Sequence, residues 1–117
     1  MSLVSRVSLL LLLPLTTVAA CSATTPAAAV ARTADTIVID VRTADEWASG
    51  HADHSTLIPV DELEARIAEV DTLVGGNKAR PIVVVCRSGG RAARAKALLQ
   101  AKGFTHVDNG GAWQNMR

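Results

Sequence analysis

A small α/β domain, with a mainly parallel sheet flanked by helices, is the fold class this sequence predicts, and three observations predict it. Short β-branched runs alternate with segments of helical period between Thr36 and Asp108. The most strand-like of these runs, Ile82–Val85, is apolar throughout, as a strand buried on both faces must be. The chain, at 117 residues, is long enough for one domain but not comfortably for two.

Residues 1–20 read as a signal peptide of the lipoprotein type, not as part of that domain. Arg6 precedes an apolar stretch through Leu13, and the small residues Val18, Ala19 and Ala20 close it. The apolar run is shorter than the roughly 20 residues a bilayer span needs, and Pro14 interrupts it. Val18-Ala19-Ala20-Cys21 resembles the lipobox of bacterial lipoproteins, in which the cysteine is lipidated and becomes the first residue. The Ala-rich stretch that follows Cys21, with Pro26 inside it, has neither helical nor strand period, so residues 21–34 read as a flexible tether. The folded domain is then 35–117. The expected location is the bacterial cell envelope, on the extracytoplasmic side, with the lipid as the only membrane attachment. With Cys21 lipidated, Cys86 is the one free thiol, and a disulfide between the two is not expected.

Charge excludes one class of partner. The formal net charge is +1, and losing Arg6 with the leader brings it to zero, so nothing draws the domain to nucleic acid or to an anionic lipid surface.

Along the domain, Thr36–Val41 is a first strand. Thr43 and Glu46 then form a capping box, in which the hydroxyl accepts from the backbone three residues on and the carboxylate reaches back. A short helix through Trp47 stops at Gly50. Thr56–Val60 forms a second strand. Asp61 is placed as the N-cap of a helix, with Glu64 three residues on and Leu63, Ile67 and Val70 on its inner face. Ile82–Val85 follows the turn-forming stretch up to Pro81. From Gly90 the period is helical again: Ala92, Ala95, Leu98 and Leu99 are apolar, Arg94, Lys96 and Lys102 face water, and Gly103 is a left-handed C′ residue with Phe104 packing back on Leu99. Thr105–Asp108 is the last strand, and Asn109-Gly110-Gly111 turns the chain towards Trp113.

The chemistry concentrates after Val85. In open parallel sheets ligands bind beyond the carboxyl ends of the strands, which is where Cys86 falls. Arg87, Ser88, Gly89, Gly90 and Arg91 lead from it directly into a helix. The glycines let successive backbone N–H groups turn inward around an anion, and the helix N-terminus adds partial positive charge. Both effects favour thiolate over thiol and lower the pKa of Cys86. A cysteine taken alone is as well read as a buried, inert residue, but this setting makes it an activated nucleophile in an anion cradle.

The segments "IDVRTADEWASGH" (Ile39–His51), "VVVCRSGGRAARAKALLQAKGF" (Val83–Phe104) and "NGGAW" (Asn109–Trp113), in that order, resemble a rhodanese domain of the small exported single-domain kind. The resemblance implies a sulfurtransferase that needs no metal or organic cofactor. Cys86 would take the sulfane sulfur of a small donor anion such as thiosulfate as a persulfide and pass it to cyanide or a thiol, a protein thiol included. The backbone from Arg87 to Arg91 would hold donor and persulfide, with both arginines attracting the donor's anionic end. The Cys-Arg-x-Gly-x-Arg form resembles thiosulfate-using members. Asp40 and Arg42 match the family's Asp-Val-Arg and are read as a pair bracing the loop.

Two other functions are weighed against this one. A Cdc25-like phosphatase or arsenate reductase encloses five residues between its cysteine and arginine, whereas Cys86 and Arg91 enclose four, a tighter ring than a tetrahedral phosphate suits. A non-catalytic sulfur carrier or anion-binding module would retain the cradle but not release sulfur to small acceptors. His51 matches the family's Gly-His and is read as structural, His54 and His106 as surface residues, and no metal-ligand pattern arises from them. The turn from His51 to Ser55 lacks the Pro and Gly that the family has there.

Overall fold

The computed structural model describes residue 33 and residues 35–116. The expected signal peptide, the expected lipidation site Cys21 and nearly all of the expected tether lie outside the described residues.

Four strands form one sheet in the order β2-β1-β3-β4, every neighbouring pair parallel: β1 (Ile37–Asp40), β2 (Ser55–Leu57), β3 (Ile82–Cys86) and β4 (Val107–Ala112). Parallel neighbours require crossovers, and these supply helices α1 (Ala44–Ala48), α2 (Val60–Leu63), α3 (Ile67–Leu73) and α4 (Gly90–Ala101). A turn of 3-10 helix, Trp113–Met116, follows β4.

All five residues of β3 are buried, because each face of the sheet is covered. Alternation along the strand sorts its side chains. Ile82, Val84 and Cys86 join Ile39, Val41, Leu63, Val70, Ala92, Ala95, Leu99 and Phe104 in the larger core, while Val83 and Val85 join Val38, Ala52, Trp113 and Met116 in a smaller one. The parity that puts Ile82 and Val84 beneath the helices also aims the Cys86 thiol at the first turn of α4. That is how a rule of sheet geometry selects the partner of a functional group.

The capping box at Thr43 is formed as the sequence predicts, with Glu46 N–H donating to Thr43 Oγ1 at 3.3 Å and Thr43 N–H to Glu46 Oε1 at 3.4 Å. The end of α4 is also as expected. Phe104 N–H donates to the Leu99 carbonyl and Gly103 N–H to that of Gln100, both at 3.1 Å, with Gly103 at φ 95°. This is the paired 6→1 and 5→2 closure of a Schellman motif.

Local expectations fail in two places, the segment after β2 and the last strand. Asp61 is not an N-cap: Pro59 takes that place with φ −53° and ψ 142°, and Asp61 lies in the first turn of α2. Val60 N–H donates to the Val41 carbonyl at 3.0 Å, so a tie back to the first crossover, not a carboxylate cap, decides where the helix begins. The single helix expected through Val70 is two, broken at Arg66, whose backbone sits at φ −110° and ψ 23°. Arg66 spans the break by pairing with Glu62 on one side and Glu69 on the other. Leu63 and Val70 are nonetheless buried, and Ile67 is half-buried.

The second correction concerns the last strand. Asn109-Gly110-Gly111 is not a turn beyond a strand ending at Asp108 but the middle of β4. Val84 pairs with Asn109 and Val85 with Gly111, leaving Gly110 as the extra residue of a bulge. A Cβ at Gly110 would stand 2.6 Å from Val83 Cγ1 and 2.9 Å from Val85 Cγ1, so close approach to β3 is what requires a glycine there. In the turn from His51 to Ser55, His54 adopts φ 61° and Ser55 donates from both N–H and hydroxyl to the Ala52 carbonyl. The missing Pro and Gly are replaced by one left-handed histidine.

Candidate active site

Cys86 ends β3 and is 1% exposed. Three bend residues, Arg87, Ser88 and Gly89, separate it from α4, which begins at Gly90. Gly89 is the N-cap and has φ 102°, a conformation that side chains oppose. In it, the Gly89 N–H points at the sulfur and donates to Sγ across 2.8 Å. Burial pushes the thiol pKa up, but the backbone N–H groups of Ala92, Ser88, Gly89 and Arg91 outweigh it, and the pKa falls below its ordinary value of 9.0. The loop therefore stabilises negative charge on a sulfur that solvent hardly reaches. The folded chain releases the thiol proton at lower pH than the unfolded chain. Between the lowered value and 9.0, stability accordingly rises with pH.

What holds Gly89 in place is Asn109, a residue the sequence offered only as turn material. Its Nδ2 donates to the Gly89 carbonyl at 3.0 Å, and its Oδ1 accepts from Gly111 N–H at 2.9 Å. The bulge in β4 thus sets the orientation of the N–H that faces the sulfur. Asn109→Ala is expected to move the midpoint of the pH–alkylation profile of Cys86 with iodoacetamide upward from its parent value towards 9.0. It is also expected to cost about 1–2 kcal/mol of stability. A profile that stays put would show that Asn109 does not position the loop.

Arg91 and Arg87, alike in the sequence, are unlike in the structure. Arg91 is clamped by both oxygens of Glu46, Nη1 to Oε1 at 2.7 Å and Nη2 to Oε2 at 2.9 Å. Glu46 is the same residue that completes the capping box of α1, so one carboxylate ties that helix to the loop. The hydrogen bond from Arg91 holds the Glu46 carboxyl down to about 2 from an ordinary 4.5. The pair is therefore intact above pH 4.5 and is lost only as the pH falls towards 2. No local pattern announces this partnership, because Glu46 and Arg91 are brought together only when β1 and β3 pair in parallel and set the segments that follow them side by side. Arg87 and Ser88 are exposed, and Arg87 has no ionic or hydrogen-bonding partner among the described residues.

Asp40 and Arg42 form a buried pair, 0% and 4% exposed, at 2.7 Å. Arg42 Nε and Nη2 both bond the Asp40 carboxylate, Nη2 also reaches the Gly50 carbonyl at 2.7 Å, and Nη1 reaches that of Glu46 at 3.2 Å. The guanidinium also lies over the Trp113 ring, 4.8 Å from its centroid. The end of β1, the C-terminal part of α1 with the Gly50 stop, and the turn after β4 are thereby joined at one cation. His51 stacks on Trp47 with centroids 3.7 Å apart, and it, His54 and His106 are all exposed. Among the described residues, no three His, Cys, Asp or Glu side chains come together as a metal site would need.

Comparison with known proteins gives a consistent result. The model of the rhodanese-like domain family matches residues 25–111. The chain is similar to the thiosulfate sulfurtransferase PspE of Escherichia coli (strain K12), 33% identical over 78 residues, which covers 67% of this chain and 71% of that one. It is similar to a sulfurtransferase of Allochromatium vinosum, 34% identical over 79 residues and 68% of each chain. A tRNA uridine(34) hydroxylase of Photorhabdus laumondii is 30% identical over 73 residues, but those cover only 21% of that protein and 62% of this chain. Among solved structures, a rhodanese with anions from E. coli superposes with a TM-score of 0.61 at 30% identity, covering 68% of this chain and 89% of that one.

Proposed function

The chain belongs to the rhodanese-like domain family of sulfurtransferases, and from that premise we propose that it carries sulfur on Cys86, taking it from thiosulfate or a similar small anion. The Cys86 thiolate attacks the outer sulfur of the donor. The donor's S–S bond breaks, sulfite leaves with the electron pair, and Cys86 holds a persulfide. Cyanide or a thiolate then attacks the outer sulfur of that persulfide, and Cys86 leaves as the thiolate it was before. No external oxidant or reductant enters the cycle.

The observation that carries this reading is the Gly89 N–H at 2.8 Å from Sγ, inside a ring of amides that lowers the thiol pKa. Such donors act on the thiolate, on the developing charge of the displacement and on the persulfide alike. Arg91, already paired with Glu46, contributes its backbone N–H and a fixed loop more than a free charge. Arg87 supplies the free cation that draws the donor in. The test is intact-mass measurement of the full chain, in mild detergent, after incubation with thiosulfate. The expected result is a gain of one sulfur in the parent and none in Cys86→Ser. A thiol shown to be free that gains nothing would turn the reading to phosphate or arsenate as substrate.

The same reading extends to location: a chain lipidated at Cys21 and held on the extracytoplasmic side of the envelope. Cys21→Ser is expected to move the protein from the membrane fraction to the soluble fraction in cell fractionation with its sulfur transfer intact. Retention in the membrane would refute the anchor.

A further inference from the structure

A cleft of about 250 Å3 opens beside the loop, lined by Arg42, Glu46, Gly50, Arg87, Trp113 and Gln114 among others. Its charges are almost fully compensated within the protein. Arg42 is neutralised by Asp40 at 2.7 Å and Glu46 by Arg91 at 2.7 Å, whereas Arg87 has no such partner among the described residues. One uncompensated positive charge therefore remains, on the residue next to the thiol. The opposite wall is apolar: the Trp113 ring, 8% exposed, is pinned beneath the Arg42 guanidinium, and Gly50 packs close to it. A second groove of about 390 Å3 flanks the loop at Ser88, Gly89 and Asn109, and no charged residue lines it. Of the two grooves beside the loop, only the first carries a charge.

We propose that this cleft is the subsite for the sulfur acceptor, and that it takes a small thiol bearing a carboxylate. The carboxylate meets Arg87 while the carbon chain lies against Trp113 and Gly50. The inference rests on the reading of Cys86 as a persulfide carrier. Size favours acceptor over donor: the volume equals about eight water molecules at roughly 30 Å3 each, far more than one sulfur oxyanion fills. The two-step cycle lets one cation serve twice, since sulfite has left before the acceptor arrives. In the second step the acceptor thiolate attacks the outer sulfur. The S–S bond to Cys86 breaks, the electron pair stays on Cys86, and the acceptor leaves as its own persulfide.

The experiment loads the full chain with thiosulfate, removes the excess, confirms the added sulfur by intact mass, and then times its discharge by 3-mercaptopropionate and by 2-mercaptoethanol. Comparing variant with parent for each acceptor cancels the thiols' own pKa differences. Arg87→Gln is expected to lower the ratio of the two discharge rates about fivefold in favour of the neutral thiol, and Arg87→Lys to retain most of the parent ratio. An unchanged ratio in Arg87→Gln overturns the proposal.

A second measurement does not depend on sulfur transfer. The unreactive analogue 3-(methylthio)propionate is expected to shift the NMR signals of the Trp113 indole N–H and the Arg87 Nε–H, and 3-(methylthio)propylamine is not. No shift with the carboxylate overturns the subsite even where transfer is rapid. A chain that shows the shift but never gains sulfur keeps the carboxylate site and overturns the reading of the reaction instead.

Discussion

Replacing Cys86 by serine is expected to lower thiosulfate-dependent turnover by more than about a thousandfold, because the group removed is the one that forms and breaks a covalent bond. A serine oxygen at neutral pH is neither deprotonated enough nor soft enough to accept a sulfane sulfur, and the same holds for Ser88, the other hydroxyl of the loop. The fold should tolerate the change. Serine is close to cysteine in volume, and its hydroxyl can accept the Gly89 N–H that now reaches Sγ across 2.8 Å. Burying that hydroxyl at a site 1% exposed costs about 1 kcal/mol. Sulfite release measured in steady state, with a urea melt as the control on folding, checks both halves. Turnover within about tenfold of the parent would refute a covalent role for Cys86.

The second large effect is on stability and lies away from the sulfur. Arg42→Met is expected to cost about 3–5 kcal/mol, since it leaves the Asp40 carboxylate buried without its counter-ion. Asp40 is wholly buried, and three of the bonds it accepts come from Arg42 Nε and Nη2, with a fourth from the Arg42 backbone N–H at 3.0 Å. The substitution also orphans the Gly50 carbonyl and leaves that of Glu46 with the Ser49 hydroxyl as its donor. For a small domain whose whole stability is of order 5–15 kcal/mol, such a loss threatens folding at 37 °C. Adding Asp40→Leu to Arg42→Met should recover much of it, because a buried apolar pair avoids the desolvation that the ion pair carries. Equilibrium urea unfolding of both variants decides the matter. A single substitution costing under about 1 kcal/mol would mean the pair does not brace the site.

The two arginines of the loop mark how far the sequence could be read. Their spacing from Cys86 and the glycines between them was visible in one line of residues, and so was the direction of the thiol's pKa. Their division of labour was not. Glu46 shows an N3 carboxylate to local inspection, and its capping bond with Thr43 is formed. Its second bond, to Arg91, spans 45 positions and exists only because β1 and β3 pair in parallel and set the segments that follow them side by side. Asn109 was obscured in another way. Asn-Gly-Gly is the commonest grammar of a turn, but here the same freedom of backbone serves a bulge, since Gly110 must pass within van der Waals contact of Val83 and Val85.

The sequence by itself determined what local physics controls. It specified where apolar periods switch between strand and helix, where the Thr43 box starts α1 and Gly103 ends α4, and that the thiol stands where a strand gives way to a glycine loop and a helix. Only the tertiary structure decided which polar groups are neighbours: Glu46 with Arg91, Asn109 with Gly89, Arg42 with Trp113, and Arg87 with none among the described residues. Backbone preferences act over a few residues and are written in the order of the chain. Charge pairing depends on distance in space, and that distance is set by how four strands and their crossovers pack.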